Sequence, residues 1–318
     1  MSVLSAIDGR RFLFLTGKGG TGRTTVMAAL ALVLASRGKR VLCVMCNVRD
    51  RLSALLGGPP VGEDIVELRN GIQAVNVDPQ AALREYGAMV LRIPMLYTAV
   101  FESRLVGSLL RATPGLFEWS MLGKAWYHST ELLSNGDNRF DVILFDAPST
   151  GHALEMLRVP KAIVEAAPPG LLLREAKKAW AMLLDPLQSG VILVTLPEEL
   201  PVTETLEMFD AISNEIKLPV AQIIVNKVIP PILSGKERES LAAFPSSDLS
   251  RPENHGIAVG VRRAQRELVQ QTALIRLRES LAEKPGISQR QVPISYLSFQ
   301  FDGVVSIRGV ADLSMQLT

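Results

Sequence analysis

Cysteine is almost missing: the 318 residues hold two, Cys43 and Cys46. They form a C-x-x-C pair, a spacing used by zinc and redox sites. Both lie inside Val41–Cys46, an unbroken apolar run that reads as a buried strand. Residues three apart on a strand point to opposite faces, so the two thiols do not converge on one ligand. The three histidines, His128, His152 and His255, are scattered and complete no zinc set. Buried structural thiols are the expectation. An excess of charge of one sign is lacking as well. The net charge is +2, and there is neither a basic tail nor an amphipathic end helix, which argues against nucleic acid or an anionic membrane as partner. No apolar run reaches the roughly 18 residues of a membrane span. Met1–Arg10 is short and polar, so no secretory leader is expected. The expected location is the cytoplasm. There is no internal repeat and no low-complexity tract.

What remains is ordinary globular material: 47% hydrophobic and 21% charged, enough for a sizeable core in one large α/β domain or two domains. The stretch Arg11–Ala35 organises it. Phe12–Thr16 is a short apolar run suited to a central strand of a parallel sheet. Gly17, Gly19, Gly20 and Gly22 follow, where backbone must turn tightly and approach a ligand. Thr24 and Thr25 open an apolar helix that runs to Arg37 and stops at Gly38. Backbone N–H groups of such a loop, with a helix N-terminus behind them, make an anion cradle. The spacing Gly17-x4-Gly22-Arg23-Thr24 is the P-loop pattern with Arg23 where lysine is usual. Lys18 sits early in the run and resembles the lysine of the deviant P-loop, which reaches across a dimer to the partner's nucleotide.

Farther along, Asn47–Leu52 forms a polar loop at a strand's carboxyl end, the edge where open parallel sheets bind ligands. Ile72–Val77 reads as the third strand. From Ala81 to about Ser134 the pattern is helical and rich in large apolar groups, from Met89 to Tyr127, so a helical insertion is expected. An ordinary helical core is favoured over a groove for a client helix. Asp141–Asp146 is the fourth strand, closing on an acid of the kind that serves Mg²⁺ in P-loop proteins. Thr150-Gly151-His152 follow as a switch segment, with Gly151 free to respond to a γ-phosphate. Val191–Leu196 is the fifth strand, and the next helix places Val202, Leu206, Phe209, Ile212 and Ile216 on one face. Ile223–Val225 belongs to the sixth strand, ending at Asn226-Lys227. Guanine-specific switches carry an acid two residues after such a lysine. Ile229 stands there, so Asn226 is assigned to adenine. Ser234–Gly260 reads as loop with a short helix. A helix over Val261–Lys284 would bury Leu268, Thr272, Ile275 and Leu281. A last strand spans Val292–Phe301, and a short helix closes Leu313–Thr318.

Together these features resemble the family of arsenical-pump-driving and tail-anchored-protein-targeting ATPases over most of the chain. They are Gly17–Thr25, Asp146-x3-Thr150-Gly151-His152, Pro197-Glu198-Glu199 with Glu204-Thr205, and Asn226. The resemblance implies one P-loop ATPase domain over 1–318, with a mostly parallel sheet flanked by helices and a helical subdomain at about 81–134. It implies ATP and Mg²⁺, and a homodimer, or a heterodimer with a related subunit as in bacterial members with paired, unequal subunits. Gly17, Lys18, Gly19, Gly20, Thr21, Gly22, Arg23, Thr24, Thr25 and Asn226 would bind nucleotide. Thr24 and Asp146 would hold the metal, and Lys18 would act in trans.

Two departures bear on turnover. Asn47 stands where the family carries the aspartate that orients the attacking water, and an amide is no carboxylate base. Arg23 keeps the charge of the P-loop lysine but is a planar fork, less compact than an ammonium. Binding with slow hydrolysis is therefore expected. A non-enzymatic client carrier paired with an active ATPase is the alternative. The three-cysteine arsenite set and a paired-cysteine zinc clip are both missing from the sequence.

Overall fold

Four neighbouring strands bury every residue they contain: β2 (Val41–Cys46), β5 (Val142–Asp146), β1 (Phe12–Thr16) and β6 (Ser189–Thr195). Such runs carry no alternation because helices cover both faces. In this computed structural model, which describes residues 3–91, 115–148, 150–167, 169–245, 255–283 and 292–318, they form the middle of one eight-stranded sheet. Its order is β3-β4-β2-β5-β1-β6-β7-β8. β4 (Ile72–Val77), β7 (Val220–Val228) and β8 (Ile294–Ser298) extend the sheet in parallel. β3 (Val66–Arg69) adds one antiparallel edge strand that the sequence reading missed. Its four residues are too few to show a period, and only Leu68 is buried.

The strand order decides what meets at the carboxyl edge. β1 lies between β5 and β6, so the loop after β1 adjoins Asp146 and the start of the connection that follows β6. α2 (Arg23–Ser36) is apolar nearly all round. It packs between the sheet and the helices α3 (Leu52–Leu56) and α11 (Ile307–Ser314). The other face carries α5 (Leu116–Thr130), α6 (Thr150–Ala166), α7 (Leu171–Leu184), α8 (Glu199–Asp210) and α10 (His255–Ala282). Phe14 and Phe145 stack there at 5.2 Å between ring centroids. Cys43 belongs to one core layer and Cys46 to the other, and burial pushes both thiols well above their usual range.

Val202, Leu206, Phe209, Ile212 and Ile216 are all buried as expected, in α8 and the π-helical turn Ala211–Ile216 that continues it. The face expected for α10 is wrong. Leu268 and Ile275 are each 42% exposed and Thr272 is exposed too, whereas Val261, Ala264, Ala273 and Leu277 join Leu281 inside. Polar chemistry turns the helix. Gln270 receives the Ile229 N–H at 2.8 Å and donates back to its carbonyl at 2.9 Å. Glu267 accepts from the Ile232 N–H at 3.1 Å. Both side chains are buried, and such groups must be paired. The short helix expected within 234–260 is α9 (Gly235–Ala242), opened by a capping box between Ser234 and Glu237. α10 begins at His255, earlier than expected, and the closing helix covers Ile307–Ser314 rather than 313–318.

Of the helical insertion, α4 (Pro79–Leu91) and α5 are described, and 92–114 lie outside the described residues. Trp119, Met121, Leu122 and Trp126 on α5 are buried against the sheet and against α7. Side chains from Met89 to Leu110, and with them most of the stretch expected as helical core or client groove, lie outside the described residues. Among the described residues no helix is long and apolar enough to cross a membrane.

Candidate functional site

Two glycines of the loop after β1 have no substitute. Gly17 has φ +151°, and a Cβ there would stand 2.1 Å from the Val194 carbonyl oxygen on β6. Gly22 is left-handed at φ +89°, and a Cβ would stand 2.4 Å from Nδ2 of Asn226. Both positions require a residue without a side chain. Thr21 is buried and closes the loop by donating its hydroxyl to the Lys18 carbonyl at 2.9 Å. Asn226, at the end of β7, donates Nδ2 to the Thr21 carbonyl at 2.8 Å and accepts from the Lys227 N–H at 2.9 Å. The amide assigned to adenine thus holds the loop in this structure.

Charges follow the same economy. Thr24 Oγ1 donates to Asp146 Oδ2 at 2.6 Å, and Arg23 Nε lies 3.3 Å from Asp146 Oδ1. Arg23 Nη1 reaches back to the carbonyls of Gly17 and Lys18. Burial raises the Asp146 carboxyl above its usual range, although Thr24 and Arg23 both favour the charged form. A hydroxyl and a carboxylate side by side are hard oxygen donors suited to Mg²⁺. Lys18 turns away from this centre, its ammonium 2.7 Å from Glu204 Oε1 on α8. Asn47 caps the end of β2 at φ +47°, a conformation asparagine tolerates, and its N–H donates to the Val77 carbonyl at 3.0 Å. It lies two residues beyond Met45, which pairs with Asp146 across the β2–β5 ladder. Thr150 and Gly151 open α6. His152 is exposed, its Nδ1 3.6 Å from Glu155 and 3.9 Å from Glu118.

Gly20, Gly22, Arg23, Thr24 and Thr25 form one end of a cavity of about 410 Å³. Its other end was not foreseen. Arg51, Lys227, Phe299 and Gln300 line it, together with Gly303, Val304 and Val305 of the loop between β8 and α11. The Phe299 N–H donates to the Val228 carbonyl at 2.8 Å, which carries the β7–β8 pairing into that loop. Phe299 and Phe301 meet edge to face at 5.0 Å. The only sequence cue was a strand closing on Asp302-Gly303, with Gly303 left-handed at φ +74°.

The chain matches the model of the anion-transporting ATPase family over residues 10–167 and 171–239. It is 34% identical over 241 residues to ATPase BagA of Mycobacterium tuberculosis, covering 73% of this chain and 69% of that protein. It is 29% identical over 250 residues to an arsenical pump-driving ATPase of Escherichia coli, covering 73% of this chain and 41% of that longer protein. To ATPase GET3 of Kluyveromyces lactis it is 27% identical over 161 residues, 48% of this chain and 46% of that one. With glycines, hydroxyl and acid standing where the P-loop pattern requires them, and the match running through most of the chain, this protein belongs to the anion-transporting ATPase family.

Proposed function

We propose that the chain is an Mg²⁺–ATP-binding switch that dimerises and hydrolyses ATP slowly on its own. It is read as one ATPase domain over 1–318 with a helical subdomain at about 81–134. The backbone amides of Gly19–Thr25, at the N-terminus of the fourteen-residue α2, would take the phosphates. Thr24 would ligate the metal directly and Asp146 through water, the metal screening phosphate charge when bound. The adenosine would extend toward Lys227 and Phe299, with Asn226 fixing the loop beneath it.

The observation that carries the slow-turnover reading is Arg23. Its guanidinium is spent on Asp146 and on the carbonyls of Gly17 and Lys18. A lysine at this position offers a compact ammonium to the phosphates, and a fork engaged elsewhere does not. Asn47 removes the carboxylate that would orient water. Each lost contact costs on the order of 10²–10³ in rate. Lys18 would serve in trans after leaving Glu204, in a second copy or a related subunit.

The test is calorimetry with Mg²⁺–ATP followed by single-turnover hydrolysis. Micromolar binding with near-background turnover is expected, and Arg23→Lys with Asn47→Asp should raise the rate at least tenfold. Vigorous turnover by the unaltered chain, abolished by Thr24→Ala, would overturn the slow-hydrolysis reading. Binding that is indifferent to Thr24→Ala would overturn the site.

A further inference from the structure

A second cavity, of about 400 Å³, lies between the ends of β6 and β7 and the helix α10. Lys227, Arg262 and Arg266 line it, against one acid, Glu198. Arg262 and Arg266 are four residues apart, hence neighbours on one face of α10. Ile229 and Val269 give it an apolar wall. We propose that this cavity binds a small organic anion, a phosphate ester with a compact apolar body, and that occupancy is felt by the neighbouring nucleotide cavity through Lys227.

Three features on different elements support this. The two arginines are exposed and enter no hydrogen bond or ion pair among the described residues, whereas Arg263 between them is held by Glu267 at 2.7 Å. Arginine forks suit phosphate oxygens, in pairs above all. The floor is also rigid: the Gln270 amide grips both backbone groups of Ile229, so the wall is preformed. Finally, Lys227 lines both cavities and sits left-handed at φ +59°, its N–H held by Asn226, which in turn holds the P-loop. A ligand that draws on Lys227 therefore pulls on the residue that supports Thr21.

The coupling through Lys227 rests on the ATP reading and the anion site does not, and the experiment separates them. Phenyl phosphate is titrated by calorimetry into the full chain, with and without saturating Mg²⁺ and a non-hydrolysable ATP analogue. One site is expected in both conditions. Affinity should fall roughly tenfold or more in Arg262→Gln/Arg266→Gln, with analogue affinity unchanged in that variant. Lys227→Gln should weaken both ligands. Loss of the phenyl phosphate signal on adding the analogue means that the probe sat in the P-loop, and overturns the proposal. So does an unchanged affinity in the double variant, equal affinity for inorganic phosphate, or affinity that falls as protein concentration is raised toward a dimer. If the analogue itself gives no heat, the ATP reading fails and the arginine variants still decide this one.

Discussion

The two ends of the first cavity are built in opposite ways. At the end proposed for phosphate, one short segment supplies nearly everything. Gly17 and Gly22 are sterically obligatory, and Thr21, Arg23 and Thr24 tie the loop to itself and to Asp146. At the end proposed for the base, Arg51, Lys227 and the 299–305 loop arrive from three distant parts of the chain. The first end tolerates little change, because Gly17 lies against the Val194 carbonyl and Gly22 against the Asn226 amide. In the proposed reading the second would set which ligand is accepted, with groups that can be exchanged. If the proposed function holds, construction is tight where charge would be gripped and looser where identity would be read.

Changes at the phosphate end should therefore cost most. Gly17→Ala drives a methyl into the Val194 carbonyl and is expected to cost about 3 kcal/mol or more of stability, read by denaturant unfolding. A cost under about 1 kcal/mol would mean that β6 yields and would break the contrast. Gly22→Ala should cost about 1–2 kcal/mol and weaken nucleotide binding besides, because it displaces Asn226. Thr24→Ala leaves a buried carboxylate short of one donor, a loss of about 1–2 kcal/mol, with Mg²⁺-dependent nucleotide affinity falling further. At the base end, Phe299→Ala should lower nucleotide affinity several-fold by calorimetry and leave the midpoint of unfolding nearly unchanged. A large shift in that midpoint would erase the distinction.

The smallest expected effect lies away from the cavity. Asp141 accepts two hydrogen bonds from the Arg40 side chain and one from its N–H, and the guanidinium holds the carboxyl below its usual range. A depressed native value contributes stability above the unfolded-state pKa. That contribution fades as pH falls through the native one. Asp141→Asn should thus cost little at neutral pH, since the pair is solvent-screened, and nothing in strong acid. Asp146 has the opposite sign: its raised value means that the buried charge opposes folding as pH rises through the native pKa.

Legibility followed locality. β1, the glycine loop, α2, β2, β5 and β6 were readable because each is a contiguous apolar run bounded by turn residues. β3 was not, being short and half exposed at an edge. The buried face of α10 was misread because Gln270 and Glu267, polar and sealed inside, outweigh Leu268 and Ile275. The latter two remain on the surface. No pattern within that helix reveals that the backbone of Ile229 and Ile232 waits for partners.

By itself the amino-acid order determined a mostly parallel α/β sheet, a glycine-rich loop after its first strand and an acid at the end of another, since period, spacing and backbone sterics act over a few residues. Only the folded chain decided that Asn226 would brace the loop, that Lys18 would rest on Glu204, and that residues 299–305 would close the cavity. Those pairings join positions some 200 residues apart in two of the cases, as for Asn226 with Thr21 and Lys18 with Glu204. They follow from which strands lie side by side, which the local pattern does not encode.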